Sequence, residues 1–213
     1  MESIPARFGK NAWFRSEIAA ISALLIVLNW PLLSGRCNSA MIFVPSSVRA
    51  GEWWRVLAHP FVHVTWFHLL LDGAAFFLLY QELQEQAFTK RLACVFASGA
   101  GSLLVSLWAD PMISIKGLCG LSGIAHGLMA ITALDLMAHR GDKIVVRIGV
   151  VSFTLVLSKC LVEVITGKML FTFLYFGMVG DPVAVTHAGG VVGGIVAWLC
   201  YSVFTHCIRP NPR

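Results

Sequence analysis

Long apolar runs, separated by charged or turn-forming residues, dominate the pattern of hydrophobic and polar positions along this chain. A helix needs about 20 apolar residues to cross the hydrocarbon core of a bilayer. The runs are close to that length, and their boundaries coincide with charges, glycines and prolines. The pattern therefore predicts six membrane helices, at about 17–34, 64–83, 91–109, 121–138, 144–165 and 187–206.

The composition agrees with this count. The chain has 213 residues, of which 57% are hydrophobic and 13% charged, and its mean hydropathy is +0.77. These values exclude a water-soluble globule. We predict an all-α polytopic membrane protein with a single six-helix domain over 17–206, an N-terminal segment 1–16 and a short tail 207–213.

The segment 35–62, between the first two predicted helices, is too broken by proline for a span and too aromatic for a free loop. Its pair Trp53 and Trp54 is typical of the membrane interface, so an interfacial loop is predicted here. The basic N-terminus and first apolar run resemble a signal peptide, but Arg36 before Cys37 argues against cleavage.

The net charge of +5 reflects topology and not a ligand surface, because no basic run is longer than Lys90–Arg91. A nucleic-acid partner is not expected. Ten Lys and Arg residues flank one side of the predicted spans and five flank the other. By the positive-inside rule both termini are cytoplasmic, and the minimal layout favours a bacterial inner membrane. The six cysteines form no disulfide or metal-binding pattern.

In this orientation the second, fourth and sixth helices all start on the outer side of the membrane. Their first turns therefore lie at the same depth in the membrane. Burying a polar group inside a membrane costs free energy, so such groups are taken as candidate functional sites. The first turns contain six such residues, namely His63, His68, Asp72, Ser122, His126 and His187.

Ser122 lies in GLCGLSGIAHGL, between Gly120 and Gly123, at the start of the fourth helix. Glycines at these positions let neighbouring backbone approach and let the chain turn sharply before the helix. Taken alone, the serine reads more simply as an N-cap, which is a common role at a helix start.

The sixth helix opens with THAGGVVGG, in which His187, Gly190 and Gly194 lie on one face. Small residues at this spacing let membrane helices touch backbone to backbone. Packing against Gly123 and Gly127 of the fourth helix would bring His187 next to Ser122.

A serine hydroxyl becomes nucleophilic when a base accepts its proton, and an imidazole can do so. We therefore predict Ser122 as nucleophile and His187 as base, without a required third acid. Stacking on His126 could orient the His187 ring. The Ser122 backbone N–H and His68 are candidate oxyanion donors. His63 is more simply an interfacial histidine bonded to loop backbone.

These motifs resemble the rhomboid family of intramembrane serine proteases over the second to sixth helices. WWRVLAHPFVHVTWFHLLLD looks like the family's WR motif and its His, His, Asn helix; GLSG looks like the nucleophile motif; HAGGVVGG looks like the HxxGxxxG helix. The resemblance implies a six-helix rhomboid-like bundle in which Ser122 is the nucleophile, His187 the base and His68 an oxyanion donor.

Two residues depart from the family pattern. Asp72 stands where the family usually has an oxyanion-binding asparagine; an ionised carboxylate would repel the oxyanion, whereas a protonated one could donate to it. Asp72→Asn is therefore expected to keep or raise proteolysis. His126 stands where many family members have a tyrosine. The segment GLSGIAHGL is similar in sequence to the rhombosortase branch, which is thought to process proteins with GlyGly C-terminal sorting tags.

The leading hypothesis is an intramembrane endopeptidase that acts on transmembrane protein substrates admitted from the lipid and needs no cofactor or metal. An inactive relative that binds client helices is the runner-up, with Asp72 as its main support. A third hypothesis is a metal or haem site made of histidines, but it leaves Ser122 and the neighbouring glycines unexplained.

Three further intramembrane charges, Lys159, Glu163 and Asp135, are predicted to be structural, with Lys159 and Glu163 paired at i and i+4. The apolar stretch 169–180 fits either a hydrophobic lid or an interfacial anchor.

Overall fold

The computed structural model describes residues 12–83, 87–139, 141–170 and 183–208. These residues form six helices longer than ten residues and no strand beyond an isolated bridge between Phe43 and Leu118. The long helices are α1 (Ala12–Leu28), α2 (Trp66–Glu82), α3 (Phe88–Ala109), α4 (Ser122–Met137), α5 (Lys143–Thr166) and α6 (Ala184–Ile208). The predicted all-α class is confirmed for the described part of the chain.

Each predicted run overlaps one long helix, but several boundaries differ by two residues or more, most of all those of α1, which starts at Ala12 and not at 17. α1 ends at Leu28 and not at 34, and a 3-10 helix, Trp30–Ser34, follows it with Pro31 near its start. Proline has no N–H to continue an α-helix. α2 starts at Trp66, because Thr65 caps it by accepting a hydrogen bond from the His68 N–H.

By length and composition, three helices could cross a membrane: α3, α5 and the Ala184–Ser202 part of α6. A fourth span results if Arg55–Phe61 and Trp66–Glu82, bent by 91° at the break between them, count as one. α4 is also apolar but has only 16 residues. Six spans remain a prediction.

The segment between α1 and α2 folds into short helical turns, Ser39–Met41, Pro45–Arg49, Arg55–Ala58 and His59–Phe61. Buried Arg55 holds them together by donating to the carbonyls of Ser39 and Ile42, each at 2.6 Å. Trp53 is 67% exposed, as an interfacial loop requires; the interfacial placement itself stays a prediction.

α6 is packed against α3, α4 and α5, and its glycines make the closest approaches. A Cβ at Gly190 would overlap the carbonyl of Gly123, and one at Gly194 would overlap that of Gly127. These approaches join the fourth and sixth helices through the glycines that the sequence pattern singled out. Gly189 and Gly193 form an equivalent contact with α3 on the opposite side, which the sequence pattern did not assign.

An ion pair attaches α1 to the bundle. The Arg91 guanidinium on α3 donates to both carboxylate oxygens of Glu17 on α1, at 2.5 and 2.7 Å, and the Tyr80 hydroxyl on α2 donates to the same carboxylate at 2.9 Å. The Arg91 and Glu17 side chains are only 6% and 10% exposed. One buried carboxylate of α1 therefore makes polar contacts to both α2 and α3.

Glu17→Gln is expected to destabilise the fold by about 3 kcal/mol or more, since it removes the carboxylate charge that faces the buried Arg91 guanidinium. The measurement is thermal unfolding in detergent, compared with Glu52→Gln as control. Glu52 is 37% exposed, and its partner Arg55 keeps two carbonyl acceptors, so the control should lose less than about 1 kcal/mol. Equal losses in both variants would contradict this assignment.

Candidate active site

Ser122 is the first residue of α4, and its side chain does not cap the helix, because Leu121 occupies the N-cap position. The N-cap interpretation of Ser122 is therefore wrong. Gly120, two residues earlier, has φ +100°, a conformation that L side chains rarely adopt. A Cβ there would also meet the His68 ring and the Asp72 carboxylate. The sharp turn that presents Ser122 thus requires glycine.

His187 lies in the first turn of α6 and is 3% exposed. Its ring stacks on that of His126, with centroids 3.9 Å apart and planes 14° from parallel. The Nδ1–H of His126 donates to the Ser122 carbonyl at 2.7 Å, which fixes the His126 ring one turn below the serine. Ser122 and His187 thus have His126 as a common neighbour where α4 meets α6. This stacking of the two rings was proposed from the sequence.

Asp72, on α2, occupies the predicted oxyanion site. Its Oδ2 accepts a hydrogen bond from the Ser122 backbone N–H at 3.0 Å and lies 3.1 Å from the Nε2 of His68. Oδ2 therefore acts as an acceptor for the Ser122 N–H, a role open both to an ionised carboxylate and to the carbonyl oxygen of a protonated one. Both predicted oxyanion donors point at an oxygen of the protein itself.

His63 was placed on the first turn of the second helix, but it precedes α2 and is fully buried. Its backbone N–H donates to the Asn29 side chain at 2.8 Å, and its ring packs edge-on against His68 at 4.9 Å. His63 Nε2 lies 3.6 Å from the Asp72 carboxylate. The His63 ring is thus buried beside His68 and Asp72, and within the described residues it is not bonded to loop backbone as the sequence interpretation proposed.

His63, His68 and Asp72 could supply three metal ligand atoms, which lie within 4.8 Å of one another. Histidines that bind metals usually donate their second ring N–H to a carboxylate or carbonyl. The Nδ1 atoms of His63 and His68 are both buried and make no hydrogen bond to the described part of the chain. The donor set is thus present without the supporting shell of a built metal site. The nearby His59 bonds through Nδ1 to backbone carbonyls.

Glu163 differs from its predicted structural role. It pairs with Lys159 at 2.8 Å as expected, but its Oε2 also contacts the Nδ1 of His187 at 2.7 Å. A signal was available: charged residues in a membrane helix generally mark function. The sequence could not show that this face of α5 meets α6. Asp135, by contrast, accepts a hydrogen bond from the Trp198 indole at 2.8 Å, a structural contact.

Cys119 is the thiol nearest to Ser122 in sequence. Burial raises the pKa of the Cys119 thiol to about 12, so the thiolate is not available near neutral pH. Cys119 is therefore a poor candidate for a nucleophile.

Among the site residues predicted from sequence, the structure brings His63, His68, Asp72, Gly120 and Ser122 together, and it joins His126 and His187 to them through α4. Gly123, Gly127, Gly190 and Gly194 form the α4–α6 contact. The stretch predicted as a lid or anchor falls mostly on 171–182, outside the described residues.

Comparison with known families gives one match: a family model described as Rhomboid domain covers residues 50–204, well over half of the chain. Comparisons with curated proteins and with solved structures give no significant match. The matched range includes α2 to most of α6, and with them every residue of the candidate site.

Proposed function

Because the chain belongs to the rhomboid family, we propose that it is an intramembrane serine endopeptidase that cleaves transmembrane segments of membrane-anchored proteins. The observation that carries the proposal is the placement of Ser122 and His187 against a common neighbour, His126, on the glycine contact between α4 and α6. A purely structural role would account for the glycines of α6, but not for the buried His187 imidazole in the first turn of the same helix.

In the proposed reaction, Ser122 Oγ attacks the scissile carbonyl carbon while its proton passes to Nε2 of His187. The resulting oxyanion is stabilised by the Ser122 backbone N–H and by His68. The intermediate collapses, the C–N bond breaks, and the leaving amine takes the proton from His187. Water then hydrolyses the acyl-enzyme, with His187 again accepting and returning a proton.

The substrate must leave helical geometry before its peptide bond can reach Ser122. Glycine lowers the cost of unwinding a helix by roughly 1 kcal/mol per residue relative to alanine, and it also fits a cleft lined by backbone. We therefore propose Gly-rich junctions near the outer leaflet as substrates. The finer assignment to the rhombosortase branch, acting on GlyGly C-terminal tags, rests on the GLSGIAHGL wording around Ser122 and His126.

We place the protein in a bacterial inner membrane with both termini cytoplasmic. The support is the excess of Lys and Arg on one side of the helices. In this orientation α2, α4 and α6 all start on the outer side, and the site lies below the outer surface.

The proposal is tested by labelling the detergent-solubilised protein with a fluorophosphonate, which reacts with activated serines. The wild-type chain should be labelled, and Ser122→Ala and His187→Ala should both lose the label because each removes half of the nucleophile and base pair. Persistent labelling of Ser122→Ala would locate the reactive group elsewhere.

Reconstitution with a Gly-rich transmembrane substrate separates the protease from an inactive helix-binding relative. Hydrolysis by the wild type that is lost in Ser122→Ala supports the protease. Capture of the substrate helix without hydrolysis, together with absent labelling, would favour the binding protein.

A further inference from the structure

We infer that Glu163 is a positioning residue for His187, so that the site is a serine, histidine and glutamate triad instead of a dyad. The inference rests on the proposed function, since it assigns a partner to its base. Its first support is geometric: Glu163 Oε2 and His187 Nδ1 are 2.7 Å apart, and both side chains are buried, at 0% and 4% exposure.

The contact selects the ring tautomer that a base requires. If Nδ1 carries the proton and donates it to Glu163, then Nε2 has a free lone pair and can accept the Ser122 proton. A second group competes for Nδ1, because Lys159 Nζ lies 3.2 Å from it and can only donate. A hydrogen bond from Lys159 would place the ring proton on Nε2, where it blocks proton transfer from the serine. The shorter contact is the one to Glu163.

Glu163 is itself held as a charged acceptor. The Lys159 ammonium contacts both of its carboxylate oxygens at 2.8 Å, and the Leu170 backbone N–H donates to Oε1 at 2.9 Å. Four donor contacts fix the orientation of the carboxylate. The Lys159 and Glu163 charges cancel, so the cluster is neutral while His187 is neutral, as burial in a membrane requires.

The carboxylate also stabilises the imidazolium that forms when His187 takes the serine proton. The other titratable groups near His187 are Lys159 on α5 and His126 on α4, with Asp72 on α2 acting at longer range. Glu163 is the acidic group in direct contact with the ring among the described residues.

The test compares fluorophosphonate inactivation rates of the wild type and Glu163→Gln over a range of pH. We expect the variant to react at least tenfold more slowly, because a neutral amide is a weaker acceptor and leaves Lys159 free to bond Nδ1. The acid limb of its pH profile should move to lower pH, since the anion that favours the imidazolium is gone. Unchanged rate and profile would overturn the inference.

Asp135→Asn is the matched control. It makes the same carboxylate-to-amide change on a partly buried hydrogen bond, to Trp198, away from the site, and it should react like the wild type. Equal slowing in both variants would attribute the effect to general destabilisation and overturn the assignment.

A second measurement keeps the inference testable if Glu163→Gln does not fold or if the wild type proves unreactive. Nitrogen-15 NMR of histidine-labelled wild type, with His187→Ala used for assignment, reports the ring tautomer. Protonated Nδ1 and free Nε2 on His187 support the positioning role even without catalysis, whereas protonated Nε2 would refute it. If the wild type is unreactive but His187 has the expected tautomer, the protease proposal is contradicted and the positioning role of Glu163 is not.

Discussion

Asp72→Asn is expected to raise the rate of substrate cleavage by about a hundredfold. In the wild type the Asp72 carboxyl group accepts the Ser122 N–H and lies within hydrogen-bond distance of His68, so its ionised form puts an internal anion on the donors that should hold the substrate oxyanion. A neutral amide removes the repulsion and can turn its own N–H towards the oxyanion. One oxyanion donor is generally worth about 10² to 10³ in rate.

The measurement is the initial rate of cleavage of a Gly-rich transmembrane substrate in reconstituted vesicles. Glu82→Gln is the matched control, because it makes the same chemical change on the same helix but at its opposite end, and its rate should equal that of the wild type. A large loss of activity in Asp72→Asn would show that the carboxylate itself is needed.

Gly190→Ala is expected to destabilise the bundle by about 3 kcal/mol or more, the upper end of the usual cost of overpacking. The added methyl group would overlap the carbonyl of Gly123, and backbone cannot rotate aside as a flexible side chain can. α4 and α6 must then separate, which moves Ser122 away from His187. Cleavage and fluorophosphonate labelling should be lost together with stability.

Gly73→Ala is the control for this prediction. Gly73 is buried on α2, but a Cβ there meets no atom within 4 Å, so the variant should be unchanged or more stable by about 0.5 to 1 kcal/mol. Thermal unfolding in detergent compares the two variants. Stability of Gly190→Ala equal to that of the wild type would mean that the two helices are not in backbone contact.

Several features could be predicted from local sequence because they depend on periodicity. The apolar runs located each long helix in the part of the chain that the structure describes, and the spacing of Gly190 and Gly194 identified the face of α6 that meets α4. The stacking of His126 on His187 followed from the same register. Once two helices contact at a known residue, helical geometry fixes what lies one turn away.

Other features needed contacts between segments distant in sequence. His63 was misplaced because its position depends on the irregular turn before α2, which a helical projection does not describe. Glu163 was correctly paired with Lys159, four residues away, but its contact with His187 depends on how α5 lies against α6. Periodicity gives the face of a helix, not the neighbour that this face meets.

The sequence by itself determined the helical membrane class, the glycine face of α6 and the identity of the serine and histidine proposed to react. Only the tertiary structure decided that Asp72 accepts the Ser122 N–H and that Glu163 contacts His187. The physical reason is range: periodicity and turn preferences act over a few residues, whereas these hydrogen bonds join residues 50 and 24 positions apart and depend on three-dimensional packing.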